Sequence, residues 1–136
     1  MSAAMHKYTS KEQEVLEIFN RHVASFTAGD LDAVVQDFAE GAIVITPDGV
    51  FEGHEEIRAF YKRLLDEFGV IDRGDSSGIQ IDMVHVRRDT LVISWHATSL
   101  SLVFHFGTDT FICRDDRIER QSIMFLPPKS RAPVAA

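Results

Sequence analysis

Cysteine is almost missing from this chain: Cys113 stands alone. One thiol excludes an intrachain disulfide and a cysteine-built zinc site, and it fits a reducing compartment. Positive charge is also scarce, with 14 basic against 21 acidic residues and a net charge of −7. Such a surface repels phosphate backbones, and no basic patch offsets it, so no nucleic acid is expected as a partner. No apolar run approaches the length needed to span a bilayer, so no membrane partner is expected either. Residues 1–9 are too short and too polar for a signal peptide. A soluble, cytoplasmic protein is the resulting expectation. Polar aromatics are few, one Trp and two Tyr against ten Phe, which suggests an interior lined by rings without a polar handle.

What is present is enough for one core. The chain has 136 residues, 45% of them apolar, which suits a single ordered domain. Ser10 precedes Lys11-Glu12-Gln13 with the spacing of a capping box. Val15, Phe19, His22, Val23 and Phe26 then recur at helical spacing and predict a helix with one buried stripe. Ala28-Gly29 ends it, and Asp30 is a suitable N-cap for a second, shorter helix with Leu31, Val34, Val35 and Phe38 on its apolar face. Residues 42–46 form a short β-branched run, and Pro47-Asp48-Gly49 is turn chemistry, so residues 50–52 can pair back as a hairpin. Gly53 opens a third helix that buries Ile57, Phe60, Tyr61, Leu64, Leu65 and Phe68.

After Gly69 the period changes. Residues 72–78 are polar and glycine-containing and read as a loop. Strands are predicted over residues 79–87, 90–100, 102–113 and 117–126, with turns at Arg88-Asp89 and Asp115-Asp116. Three of the four prolines fall in residues 127–136, which read as a flexible tail. Helices first and antiparallel strands after indicate an α+β fold with the helices on one face of a curved sheet. Asp109 stands out within it. It lies in a strand with Phe104, Phe106, Phe111 and Ile112, where a carboxylate either faces water or finds a buried partner or a proton.

The run Thr27-Ala-Gly-Asp-Leu-Asp-Ala-Val-Val, then Phe38-Ala, Ala42-Ile-Val-Ile-Thr-Pro-Asp-Gly and Gly53-His-Glu-Glu-Ile-Arg-Ala-Phe-Tyr61, resembles the nuclear transport factor 2 fold. More narrowly it resembles the SnoaL-like polyketide cyclases and the ketosteroid isomerases. The run from Gly107 to Phe125 resembles their last two strands. The resemblance covers about residues 10–126, flanked by a flexible 1–9 and the tail. It implies a cystatin-like curved antiparallel sheet wrapped around a long N-terminal helix and two further helices, an open cone or barrel. Enzymes, binding modules and assembly domains all share that fold.

Residue by residue, the isomerases' oxyanion-binding aspartic acid falls at Asp109 and their oxyanion-binding tyrosine at His22. Their general-base aspartate falls at Thr46, which cannot serve as that base, so their mechanism is not expected. The His22–Asp109 pair looks more like that of scytalone dehydratase and the SnoaL-type cyclases, which use histidine and aspartate in this cavity.

Alternation divides residues 102–113 into a face with Phe104, Phe106, Thr108 and Thr110 and a face with Val103, His105, Gly107, Asp109 and Phe111. The resemblance turns the second face to the cavity. Phe104 and Phe106 then lie outside, as candidates for a sheet-to-sheet homodimer contact. Leu91, Ile93, Trp95 and Ala97 are expected inside, as are Gln121, Ile123 and Phe125. The implied pocket is aromatic. His22 and Asp109 are its candidate catalytic residues, and Thr46, Phe60, Trp95, Phe111, Gln121, Ile123 and Phe125 are its candidate ligand contacts. No cofactor is called for. A metal is not expected: His105 and Asp109 would lie about 13 Å apart along a strand, too far to share one ion.

Two classes of function follow. One is an isomerase, dehydratase or cyclase acting on a small apolar or aromatic carbonyl or hydroxyl compound, with Asp109 orienting His22 as general acid/base. The other is a non-catalytic ligand-binding or dimeric assembly domain. The separation of His22 and Asp109 discriminates between them.

Overall fold

The computed structural model describes residues 7–68 and 78–131. Its first helix, α1, spans Ser10–Thr27. The cap is Thr9, one residue earlier than the sequence spacing suggests: its hydroxyl accepts from Glu12 N, and Glu12 answers with a bond from Thr9 N. Glu12 is buried because it does a second job, accepting from the backbone N–H of Arg88 at 2.8 Å. Arg88 sits in a turn at φ 55°, so this carboxylate ties the helix start to a hairpin. The buried stripe of α1 is Val15, Ile18, Phe19 and His22, with Val23 and Phe26 half-buried at its edge.

Asp30 caps α2 (Leu31–Gln36) by accepting from Ala33 N, as its position predicts. Phe38 does not extend this helix. It begins β1 (Phe38–Thr46), four residues before the β-branched run that marks the strand in sequence. The polar Glu40-Gly41 pair hides that start, where a register shift separates Phe38 from Ile43. β2 (Gly49–Glu52) pairs back on β1 as a hairpin. The third helix, α3, spans Gly53–Phe68 and buries Ile57, Tyr61 and Phe68. His54, at its first turn, is held by the carbonyl of Phe38 at 2.8 Å.

The loop expected over residues 72–78 lies outside the described residues except for Gly78, which opens β3 (Gly78–Arg87). β4 (Thr90–Thr98), β5 (Leu102–Arg114) and β6 (Arg117–Phe125) follow. Asp115 and Asp116, at φ 52° and 61°, make the tight β5–β6 connection. The sheet order is β2-β1-β6-β5-β4-β3. All neighbours are antiparallel except β1 and β6, which run parallel, so the curved sheet is mixed. Within the segment read as a flexible tail, Lys129–Ser130 form β7 and pair with Val103 and Leu102. Residues 132–136, like 1–6, lie outside the described residues.

The three helices cover the concave face, and the core fills the space between. Phe38, Ile57, Leu91 and Ile118 are fully buried there. Each such side chain contributes about 1.5–3 kcal/mol of hydrophobic stabilisation.

One correction changes the face assignment of β5. Trp95 pairs with Gly107, but Ala97 pairs with Phe104, so two β5 residues oppose one of β4. This bulge leaves His105 and Phe106 both exposed and reverses the alternation beyond them. Phe104 therefore joins Asp109 and Phe111 on the concave side and is buried, while Phe106 stays outside. Simple alternation had grouped the two rings on one face. It had also turned His105 inward, and that residue is exposed too.

Candidate functional site

Between α1, α3 and the concave sheet lies a cavity of about 250 Å³. All nine side chains singled out in the sequence border it: His22, Thr46, Phe60, Trp95, Asp109, Phe111, Gln121, Ile123 and Phe125. Tyr61 and Phe104, not among those nine, border it as well.

Sheet register sets the polar groups in order. Asp109 pairs with Ile93 on one side and Ile123 on the other, so aliphatic chains flank the carboxylate. One step along the concave face, Trp95 sits opposite Gly107. A Cβ on Gly107 would come within 2.2 Å of the indole, so the missing side chain is what lets the ring lie across the strand. From there Trp95 Nε1 donates to Asp109 Oδ1 at 2.9 Å. One step the other way, Gln121 sits opposite Phe111 and donates from Nε2 to Asp109 Oδ2 at 3.0 Å.

Asp109 makes no hydrogen bond to His22. The two are joined through intermediates. Tyr61 on α3 donates to Gln121 Oε1 at 2.6 Å, and its oxygen lies 3.1 Å from His22 Nε2. The other imidazole nitrogen, Nδ1, lies 3.3 Å from Asp37 Oδ2. Asp37 Oδ1 in turn accepts from Arg21 Nε at 2.9 Å. Phe38, Tyr61 and Phe111 surround the imidazole edge-on, with ring centres 5.5 to 5.7 Å away. The result is one continuous polar chain: Arg21, Asp37, His22, Tyr61, Gln121, Asp109, Trp95. The direct His22–Asp109 contact expected from sequence is thus replaced by a bridge of two side chains.

Asp37 and Tyr61 are the residues that sequence reasoning missed. Tyr61 was visible only as part of a buried helix face. Asp37 sits between Gln36, the last residue of α2, and Phe38, the first of β1, and its place at that junction was its one signal.

Protein surrounds the Asp109 carboxylate, although part of it remains open to the cavity. That enclosure governs its ionisation. Burial pushes the pKa up to about 6, against the opposing pull of the Trp95 and Gln121 donors and of His22. Tyr61 is pushed well above the ordinary phenol value, first by burial and then by the charge of Asp109, so its hydroxyl keeps its proton. Thr46 is differently employed. Its hydroxyl accepts from Asp48 N and Gly49 N and donates to Gly49 O, closing the β1–β2 turn. It borders the cavity as a structural residue with no spare lone pair directed at a substrate. Among the described residues, no three His, Cys, Asp or Glu side chains gather where one ion could bind them. No described helix is long and apolar enough to cross a membrane.

Comparison with known proteins agrees with this architecture. Comparison with curated proteins gives no match. Among solved structures, the chain is similar to an NTF2-like protein from Anabaena variabilis ATCC 29413, at 19% identity over 92% of this chain and 96% of that one, with a TM-score of 0.71. A protein from Jannaschia sp. CCS1 assigned as a SnoaL-like polyketide cyclase gives 14% identity, coverage of 89% and 91%, and a TM-score of 0.71. One from Kribbella flavida DSM 17836 assigned as a ketosteroid isomerase gives 9%, 91% and 86%, and 0.70. Identities this low speak for the fold alone. The model of the SnoaL-like domain matches residues 19–121, most of the chain, which therefore belongs to the SnoaL-like domain family.

Proposed function

We propose that this protein is an acid–base enzyme for a small, neutral, largely apolar or aromatic compound carrying a carbonyl or hydroxyl group. Isomerisation, dehydration and cyclisation all suit that chemistry. The observation that carries the reading is Asp109: a carboxyl group with a pKa near neutrality, fixed by two donors, at the wall of an apolar cavity. His22 acts behind it, at the other end of the Tyr61–Gln121 bridge. Among the described residues the cavity wall holds no Lys or Arg to match an anionic substrate, and Asp48 and Glu67 border it, so a neutral substrate fits best.

The test needs no knowledge of the natural substrate. A neutral ketone such as 2-tetralone in D2O reports proton abstraction through deuterium exchange at its α-carbon. Asp109 must be ionised to act as base, so the catalysed rate should rise with pH through about 6 and then level off. Asp109→Asn should lower it by about 10²–10⁴-fold. No catalysed exchange by the wild type, or full exchange by the variant, would sink the reading.

We also propose a homodimer through the convex sheet face. With Phe104 buried, the exposed apolar groups there include Phe106, Met124 and Leu126, and the backbone N–H of Leu126 donates to the Phe106 carbonyl, which brings them together. Sedimentation at micromolar concentration should show a dimer that Phe106→Glu dissociates. A wild-type monomer would overturn this.

A further inference from the structure

Five side chains on the cavity wall have a nitrogen or hydroxyl that can donate: His22, Thr46, Tyr61, Trp95 and Gln121. Four of them are committed within the protein. Thr46 donates to Gly49 O, Trp95 to Asp109 Oδ1 and Tyr61 to Gln121 Oε1. Both ring nitrogens of His22 have a partner, Asp37 at Nδ1 and Tyr61 at Nε2. Gln121 is the exception. Its amide nitrogen carries two hydrogens, and Asp109 Oδ2 accepts one of them. The other meets no acceptor among the described residues, although the side chain is buried and borders the cavity.

The amide is fixed from both ends. An ionised carboxylate offers lone pairs only, so the amide turns its nitrogen to Asp109, at 3.0 Å. Tyr61 holds the amide oxygen from the other side at 2.6 Å. Each Asp109 oxygen has accepted one bond and keeps a further lone pair. The wall therefore presents a base and a spare hydrogen-bond donor side by side. Ile93 and Ile123 flank the carboxylate, and Phe111 stands opposite Gln121.

We propose that Gln121 is a further catalytic residue, whose second amide N–H holds the carbonyl oxygen of an enolisable ketone while Asp109 removes a proton from the adjacent carbon. The role rests on Asp109 acting as the base of the cavity. In the step, the C–H bond breaks and its proton passes to the Asp109 carboxylate. The electron pair left behind forms the C=C bond of an enolate, and the carbonyl π pair moves onto oxygen. Negative charge thus grows where the amide N–H points, and a donor already fixed in place stabilises it. Oxygen and α-hydrogen sit on adjacent carbons of a ketone, which suits a donor and a base that are themselves neighbours. Return of the proton to the same carbon gives exchange, and return to a conjugated carbon gives isomerisation. The substrate is thereby narrowed to a neutral, largely apolar ketone with a hydrogen next to its carbonyl group.

Gln121→Met removes the donor and leaves a side chain of similar length. Gln121 also supports Asp109, and the pH profile of 2-tetralone exchange separates the two roles. Without its Gln121 donor the Asp109 carboxyl titrates higher than about 6, so the rise of the rate moves to higher pH. A supporting role alone would stop there, with the plateau kept. Loss of the donor to the developing oxyanion lowers the plateau itself, by about 10²–10³-fold. The expected profile shows both changes. A plateau within a few-fold of wild type would remove Gln121 from the chemistry.

A second measurement needs neither turnover nor a variant. The chain has one Trp, and it borders the cavity, so a single indole N–H resonance reports occupancy. Nitrogen-15-labelled wild type is titrated at neutral pH with 2-naphthol, which resembles the enol, and with naphthalene, which lacks the oxygen. Both should shift the Trp95 resonance. Only 2-naphthol should move downfield the Gln121 amide hydrogen that does not face Asp109. If 2-naphthol fails to bind, or binds without moving that hydrogen, Gln121 does not hold a ligand oxygen and the proposal is wrong. The amide shift also decides the matter if Gln121→Met does not fold. Wild type without exchange activity would remove Asp109 as base, while the amide shift would still show whether Gln121 holds the oxygen, so the two failures are told apart.

Discussion

Asp37→Ala should destabilise the protein by about 1–3 kcal/mol, the usual cost of leaving a buried donor without its acceptor. The side chain is buried, and its two oxygens serve two different partners. Oδ2 faces His22 Nδ1 in the core, and Oδ1 accepts from Arg21. Alanine leaves the imidazole N–H without an acceptor among aromatic rings. The Arg21 contact matters less, because the guanidinium is partly exposed and also holds Asp116. The backbone carbonyl of residue 37 keeps its bond from Ile118 N, so the chain path survives and the loss is local to the side chain. Asp37→Asn keeps the shape and one acceptor and should cost clearly less. Urea unfolding measures both. Equal, small losses would mean that the polar chain is not anchored at Asp37.

Gly107→Ala should cost about 1–3 kcal/mol, the range for overpacking a filled site. The added Cβ would stand 2.2 Å from one indole carbon and 2.3 Å from another. Trp95 must move, and its Nε1 then loses Asp109 Oδ1. That donor holds the Asp109 pKa down, so losing it should raise the pKa further above about 6. Urea unfolding, tryptophan emission and a carbon-13 titration of the carboxyl report the three consequences separately. Unchanged emission with wild-type stability would show that the ring does not lie over residue 107.

The concave face was largely legible in the sequence wherever strands alternate without interruption. Leu91, Ile93, Trp95 and Ala97 all lie inside, as do Gln121 and Ile123, because each run keeps a strict period of two. Phe104 was misplaced because a bulge beside Gly107 inserts one residue, and strict alternation makes no allowance for an insertion. The capping of α2 by Asp30 was readable since it depends on three adjacent residues. The first cap slipped by one because Thr9 and Ser10 offer the same hydroxyl, and only the position of Glu12 in the finished helix chooses between them.

The site was legible in its membership but not in its wiring. Asp109 and His22 could be assigned to one cavity through family resemblance. That Tyr61 and Gln121 stand between them depends on how far α3 sits from β6, a distance that no local pattern encodes. Asp37 lies in a short connection between a helix and a strand, where neither period applies, so its partnership with His22 had no periodic trace.

The parallel pairing of β1 with β6 has a bearing on how the chain comes together in time. Val44 and Gln121 are register partners, yet one belongs to the first strand made and the other to a strand made after most of the chain. Contacts so distant in sequence close late, because the loop entropy must be met before they can form. During synthesis, β1 and its β2 hairpin therefore wait with an open edge while β3, β4 and β5 emerge. Gln121 arrives with β6, so the bridge between His22 and Asp109 is completed in the same step that seals that edge. A nascent chain stalled before β6 should bind a chaperone and lack the cavity, whereas release of a few more residues should produce both closure and a protease-resistant domain.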